Sequence, residues 1–247
     1  MARLLSKSMH ITAHALHDRP AALFQPVPPA DRKAMLERLP PTAAHAAELA
    51  SGKWKLLVSS TSWTADEDFS LLLSALVGYC ARATADKSRP LPYILAVITG
   101  KGPLKAQYVS QIAALSQAGR LSHASVVTAW LSAEEYAGLL GVADLGVSLH
   151  MSSSGVDLPM KVVDMFGAGL PVVGWGEYEA WPELVREGEN GRGFGSKEEL
   201  ERMLVELFGG DGEELKVLKR GALEEGKKRW DEEWDRVAGK EVFHIVQ

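Results

Sequence analysis

From Trp54 onward, short apolar runs alternate with segments whose apolar residues recur at helical spacing, and this alternation limits the possible folds more than any other feature. "KWKLLVSST", "LPYILAVITG", "HASVVTAW", "DLGVSLH" and "LPVVGW" are short and strongly apolar, and they read as buried strands. Between them, "DEDFSLLLSALVGYCARAT", "LKAQYVSQIAALSQAG", "SAEEYAGLLGVA" and "LPMKVVDMFGAG" carry helical periodicity. Asp66 and Glu67 fall near the first turn of the first helix, where carboxylates oppose the positive end of the helix dipole. Ser132 precedes the third with Glu135 three residues on, a capping-box spacing, and the fourth ends at glycine. "EAWPELVREGENG" and "GSKEELERMLVELFGG" finish the series with helices and a short strand or turn between them. Apolar strands joined through helices by short connections specify an α/β fold, a Rossmann-like parallel sheet with helices on both faces.

The two ends differ from this middle. Residues 1–50 place proline clusters on either side of one short helical pattern, Asp31 to Leu39, and read as a connector that packs against something. Residues 51–215 hold the alternating elements. Residues 216–247 read as one charged amphipathic helix on which Trp230 and Trp234, four apart, share a face and are expected to pack. A net charge of -5 argues against a sequence-independent grip on nucleic acid. The single cysteine, Cys80, forms no intrachain disulfide, fits a reducing compartment and falls on a helix as a core residue. None of the apolar runs approaches the roughly 20 residues that cross a bilayer, and the first residues are too polar for a good signal peptide.

Open parallel sheets bind ligands at the carboxyl ends of their strands. The loops "SSTSWTADED", "TGKGP", "AWLSAEEY" and "HMSSSGVDLPMK" are therefore expected at one edge. In "TGKGP", Gly100 and Gly102 permit positive φ and close backbone approach, and Lys101 adds a positive charge. A tight turn with a solvated lysine explains the same residues. The turn is neither GxGxxG nor GxxxxGK[ST], which removes support for a dinucleotide oxidoreductase or a P-loop. After the hydroxyls of "SSSG", a helix begins near Leu158 and Pro159, proline being suited to a first turn. The unbonded N–H groups of that turn form an anion site. Lys161 can add charge to a bound phosphate, and Asp164 can accept two hydroxyls of a sugar. The alternative is that Lys161 and Asp164 form a solvated i, i+3 pair on the helix surface. Trp130, at the end of a strand, suits either a nucleobase contact or burial in the core.

The runs "LLVSSTSWTADEDFSLLLSAL", "VITGKGPLK", "WLSAEEYAGLLGVADLGVSLHMSSSGVDLPMKVVDMFGAGLPV" and "ELVREGENGRGF" resemble the chitobiosyldiphosphodolichol β-mannosyltransferase family, from about Leu16 to Trp234. Other GT-B glycosyltransferases usually carry E-x7-E in the corresponding block. Here Asp164 takes the place of the second glutamate, and Asp157 falls near, but not on, the first. The resemblance implies a GT-B fold of two Rossmann-like domains facing a cleft, with GDP-mannose held by the C-terminal one. The acceptor would be dolichyl-diphosphate-linked chitobiose at the cytosolic face of the endoplasmic reticulum, mannose being transferred with inversion. No metal or other cofactor is implied as obligatory, since helix N-termini and basic side chains can serve a diphosphate.

Carried onto this chain, the resemblance brings Gly100, Lys101 and Gly102 to the donor diphosphate. The loop Ser59 to Trp63, with Ser60 and Thr61, lines the donor side. Trp130 and Leu131 contact guanine. Ser153, Ser154 and Gly155, with Leu158, Pro159 and Met160, present backbone N–H groups to phosphate and sugar. Asp157 bonds mannose hydroxyls, and Asp164 holds the ribose. In such inverting enzymes the general base commonly comes from the N-terminal domain, so none is assigned here; His150, Asp157 and His123 are the candidates this chain offers. The family's membrane anchor and N-terminal Rossmann domain are not in this sequence. The chain is expected to be the connector, the donor-binding half and a final helix that returns to the N-terminal domain, with that domain or other mannosyltransferase subunits as partners. The other reading is a non-catalytic interaction protein or inactive relic of the same fold.

Overall fold

Each apolar run becomes a strand of one parallel sheet in the computed structural model, which describes residues 9–10, 13–86, 88, 90–151 and 157–245. The strands are β1 (Trp54–Ser60), β2 (Tyr93–Thr99), β3 (Ala124–Ala129), β4 (Leu145–Ser148), β5 (Val172–Trp175) and β6 (Gly191–Phe194), in the order β3-β2-β1-β4-β5-β6. The helices are α1 (Arg32–Arg38), α2 (Ala46–Ala50), α3 (Phe69–Ala85), α4 (Lys105–Gln117), α5 (Ala133–Val142), α6 (Met160–Gly167), α7 (Trp181–Leu184), α8 (Lys197–Gly209), α9 (Glu213–Gly226) and α10 (Trp230–Trp234). A π-helical segment, Asp235–Val242, follows.

Alternation along the strands builds two cores. Leu57, Ile94, Ala96 and Ile98 face α3, α4 and α8 through Phe69, Leu72, Ile112 and Leu204. Leu56, Val58, Leu95 and Val97 face α1, α2, α5 and α6 through Leu36, Leu49, Leu139 and Phe166. That is why the strands lack polar alternation: both faces are covered. The chain order reverses between the adjacent strands β1 and β4. The helices that follow them, α3 and α6, pack in different cores, so a crevice opens between the loops at their carboxyl ends.

The chain ends differ from expectation in three ways. The helical pattern at Asp31 to Leu39 forms α1, but "TAAHAAELA" adds a 3-10 turn and α2, which the proline-rich context concealed. Arg32 on α1 ties α2 and the end of α5 together, donating to the carbonyls of Leu49 (2.8 Å) and Val142 (3.1 Å). The expected single C-terminal helix is broken at Gly226, where a Cβ would lie 2.1 Å from the Phe166 carbonyl oxygen. Arg229 is extended there, and its guanidinium donates to the carbonyls of Pro20, Ala21, Phe24 and Gly167. Trp230 and Trp234, expected to pack, are 39% and 46% exposed. Cys80 is buried on α3, and burial pushes its thiol pKa up. Among the described residues no helix is long and apolar enough to cross a membrane.

Candidate functional site

The crevice contains a cavity of about 280 Å³ lined by the ends of three strands and the starts of two helices. Ser60 ends β1 and Thr61 follows it, Thr99 and Gly100 close β2, and Trp130 and Leu131 follow β3. Ser132 and Tyr136 come from the start of α5, and Lys161 and Asp164 from α6. The capping box at Ser132 and Glu135 is formed and fixes where α5 begins. A larger hollow of about 690 Å³, lined by Arg82, Leu91, Leu207 and Gly210 among others, contains none of the strand-end loops. Topology, not volume, locates the site.

The glycines of "TGKGP" serve loop packing. Gly100 has φ 128°, and a Cβ there would lie 1.8 Å from the Thr61 carbonyl oxygen. Gly102 is not at positive φ, but its Cβ would lie 1.7 Å from the Ser62 carbonyl oxygen. Two backbones can touch only because both side chains are missing. The loop after β1 lines the cavity over a shorter stretch than expected. Ser59 is buried and donates to the Val147 carbonyl at 2.9 Å. Trp63, at φ 50°, is buried against Phe69 (4.9 Å between centroids) and Tyr108 (5.9 Å). Ser60 and Thr61 remain on the lining; the Ser60 hydroxyl is bonded to the Tyr136 hydroxyl (2.8 Å) and accepts from Thr99 (3.1 Å), so these three hydroxyls form part of the cavity wall. Tyr136 was not singled out in the sequence; its position one turn beyond the Ser132 cap was the available signal.

Asp164 is half-buried, and its carboxylate has no hydrogen bond or ion pair among the described residues. Burial pushes its pKa up to about 6. Lys161 does not pair with it, which removes the surface-pair reading. Its ammonium pairs instead with Glu67 Oε1, with the Ser62 hydroxyl 3.4 Å away. Glu67 was expected on the first turn of α3. That helix starts later, at Phe69, capped by Asp68 Oδ1 accepting from the Ser70 amide (2.9 Å), and Glu67 turns inward. Its Oε2 accepts from the Thr61 hydroxyl (2.9 Å) and the Ser62 amide.

At the start of α6, Pro159 is the N-cap and has no N–H to give, so it cannot be one of the expected phosphate donors. Leu158 is half-buried against the second core, while Met160 is 46% exposed. Ser153, Ser154 and Gly155 lie outside the described residues. His150 Nε2 and Asp157 Oδ2 are 2.6 Å apart, so the two candidate groups engage each other. His123 precedes β3 and stacks on Tyr93 (4.6 Å between centroids), at the amino end of the strands; the opposite end holds the crevice, which removes it as a candidate. Trp130 is not a core residue: it is 63% exposed, with the Lys101 ammonium 3.9 Å from the ring centroid. Among the described residues no group of three or more His, Cys, Asp or Glu is placed to hold a metal ion.

The parallel sheet, with helices on both faces, matches GT-B glycosyltransferase structures. Sucrose-phosphate synthase from Thermosynechococcus elongatus superposes with a TM-score of 0.65 at 14% identity, covering 99% of this chain and 56% of that one. Anabaena HepE in complex with UDP gives 0.63 at 16% identity, covering 88% and 54%. The C-terminal domain of a group 1 glycosyl transferase from Francisella tularensis gives 0.58 at 13% identity, covering 85% of this chain and 97% of that one. No protein-family model matches. The chitobiosyldiphosphodolichol β-mannosyltransferase of Arthroderma benhamiae is 55% identical over 244 residues, 97% of this chain and 54% of that protein. The enzyme of that name from Mus musculus is 51% identical over 74% of this chain and 37% of its own length. The chain belongs to the chitobiosyldiphosphodolichol β-mannosyltransferase family and spans about half the length of the curated relatives it matches.

Proposed function

We propose that the crevice is the GDP-mannose site of a β-mannosyltransferase whose acceptor is dolichyl-diphosphate chitobiose. The observation that carries this reading is the Asp164 carboxylate. It is half-buried, faces a cavity at the chain reversal and has no partner among the described residues. A carboxylate held that way is suited to accept two vicinal hydroxyls, and the ribose of GDP supplies them. Trp130, exposed at the same cavity, offers a face for guanine. Lys161, the start of α6 and the Gly100–Gly102 turn meet the diphosphate. Asp157 takes mannose hydroxyls, with His150 as its hydrogen-bond partner.

Attack by the acceptor hydroxyl on the anomeric carbon, with departure of GDP, inverts an α-linked donor to a β-mannoside. No base for the hydroxyl proton is assigned here; as in the inverting enzymes this chain resembles, it is expected from an N-terminal domain, and the donor site by itself is expected to bind donor with little or no transfer. Residues 51–215 supply the donor site, and the segment 216–247, with Trp230 and Trp234 exposed, returns to that other domain. The place of action is the cytosolic face of the endoplasmic reticulum, where the lipid-linked acceptor is assembled. Calorimetric titration with GDP tests the reading. Saturable binding that Asp164→Ala weakens supports it; no heat at millimolar GDP, with both chains alike, rejects it.

A further inference from the structure

Glu67 is 4% exposed and belongs to no helix or strand. Its two oxygens are divided between two elements. Oε2 accepts from the Thr61 hydroxyl (2.9 Å) and the Ser62 amide, and Oε1 accepts from the ammonium of Lys161 on α6. The Thr61 hydroxyl oxygen accepts in turn from the Trp63 amide at 3.0 Å, so the turn after β1 is wound around this one side chain. Because β1 and β4 are neighbours while α3 and α6 pack in different cores, the Glu67–Lys161 bond crosses the crevice where the strand order reverses. Thr61 and Lys161 line the cavity, and Glu67 does not.

A lysine ammonium on its four-carbon stem has much rotamer freedom to lose on meeting a phosphate. The Lys161 side chain is 33% exposed, and its described polar partners, Glu67 and Ser62, both lie across the crevice from α6. Glu67 cannot swing with it, since the two donors on Oε2 hold the carboxylate in place. An ammonium has three hydrogens. Glu67 takes one and the Ser62 hydroxyl lies 3.4 Å away, which leaves at least one for a ligand oxygen.

We propose that Glu67 is a positioning residue for diphosphate binding: it sets Lys161 and the Ser60–Ser62 turn at one separation across the crevice. It does not touch the ligand. A nucleoside diphosphate then meets an ammonium already in place, and the ordering cost is met on folding. This rests on the nucleotide-diphosphate reading of the same site.

The test is GDP titration of the wild-type chain, Glu67→Gln, Lys161→Met and the double variant, with a melting curve for each. Glutamine keeps the size and an acceptor for Thr61 but loses the charge that holds the ammonium. Each single variant is expected to weaken GDP binding about tenfold or more. The double variant should be no weaker than the worse single variant within about threefold, because Glu67 acts on the ligand through Lys161. General damage to the turn gives the other pattern, in which the two losses multiply. Glu67→Asp keeps the charge one methylene short of Lys161 and gives the same comparison should the glutamine chain fail to fold. A Glu67→Gln affinity equal to or tighter than wild type, or multiplied losses in the double variant, overturns the assignment. Absence of GDP binding by the wild-type chain removes the nucleotide reading and this one with it; wild-type binding with an unaffected Glu67 variant removes this one alone.

Discussion

Replacing Asp164 by asparagine should make the ligand-free chain more stable while weakening its site. The carboxyl is half-buried with no partner among the described residues, and burial raises its pKa from 3.8 to about 6. Between those values the folded chain binds more protons than the unfolded one. Stability therefore falls as pH rises from about 4 to about 6, and the full deficit is present above that. A change of that size corresponds to about 3 kcal/mol, and screening by the solvent that still reaches the group reduces it to roughly 1–2 kcal/mol. Asparagine has nothing to ionise, so its advantage should be near zero at pH 4 and about 1–2 kcal/mol at pH 7.5. Urea denaturation of both chains without ligand, at the two pH values, measures it. An asparagine variant no more stable than wild type at pH 7.5, or an equal difference at pH 4, refutes the reasoning. GDP added at pH 7.5 should stabilise wild type more than the variant, because the carboxylate offers a charged oxygen to each ribose hydroxyl and asparagine a single neutral one.

Three further outcomes follow from the geometry. Gly100→Ala places a Cβ 1.8 Å from the Thr61 carbonyl oxygen at φ 128°; strain and overpacking should cost about 2–5 kcal/mol in urea denaturation. Trp130→Ala removes a ring that is 63% exposed, so stability should change by under about 0.5 kcal/mol. GDP affinity should fall by about 1–3 kcal/mol in the same variant, measured by calorimetry. Glu225→Gln breaks a buried carboxylate's bonds from Arg19 (3.0 Å), Arg186 (2.7 Å) and Lys228 (2.9 Å), and denaturation should show a loss of about 3–5 kcal/mol. Burial pushes the Glu225 pKa up, but Arg186 and Lys228 outweigh it and hold the pKa below the ordinary 4.5. Its contribution is present above that value and is lost as pH falls through the folded pKa.

The strands from β1 to β5 were legible because a sheet covered on both faces needs unbroken apolar runs, and few other contexts produce them. The Ser132–Glu135 cap was legible because it is local. β6, "GRGF", has one apolar side chain in four residues, and its strand character comes from pairing with β5. The break after Gly226 was hidden because helical spacing continues past it; Arg229 is extended there, and its guanidinium bonds the carbonyls of Pro20, Ala21, Phe24 and Gly167, partners far away in sequence. Lys161 and Asp164 were found from the loop-to-helix junction, but their separate environments were not. Glu67 lies 94 residues before Lys161, and no spacing rule joins them. Only closure of the crevice at the β1–β4 reversal brings them together. The glycines of the "TGKGP" turn were correctly placed at the edge, yet the partner they approach is the backbone of the neighbouring loop.

A crystal structure of the chain with GDP tests the central claim most directly. The account predicts the ribose hydroxyls within hydrogen-bond distance of Asp164, guanine against Trp130, and the diphosphate between Lys161 and the Gly100–Gly102 turn. GDP bound at another part of the sheet, or in the crevice with its ribose away from Asp164, contradicts it.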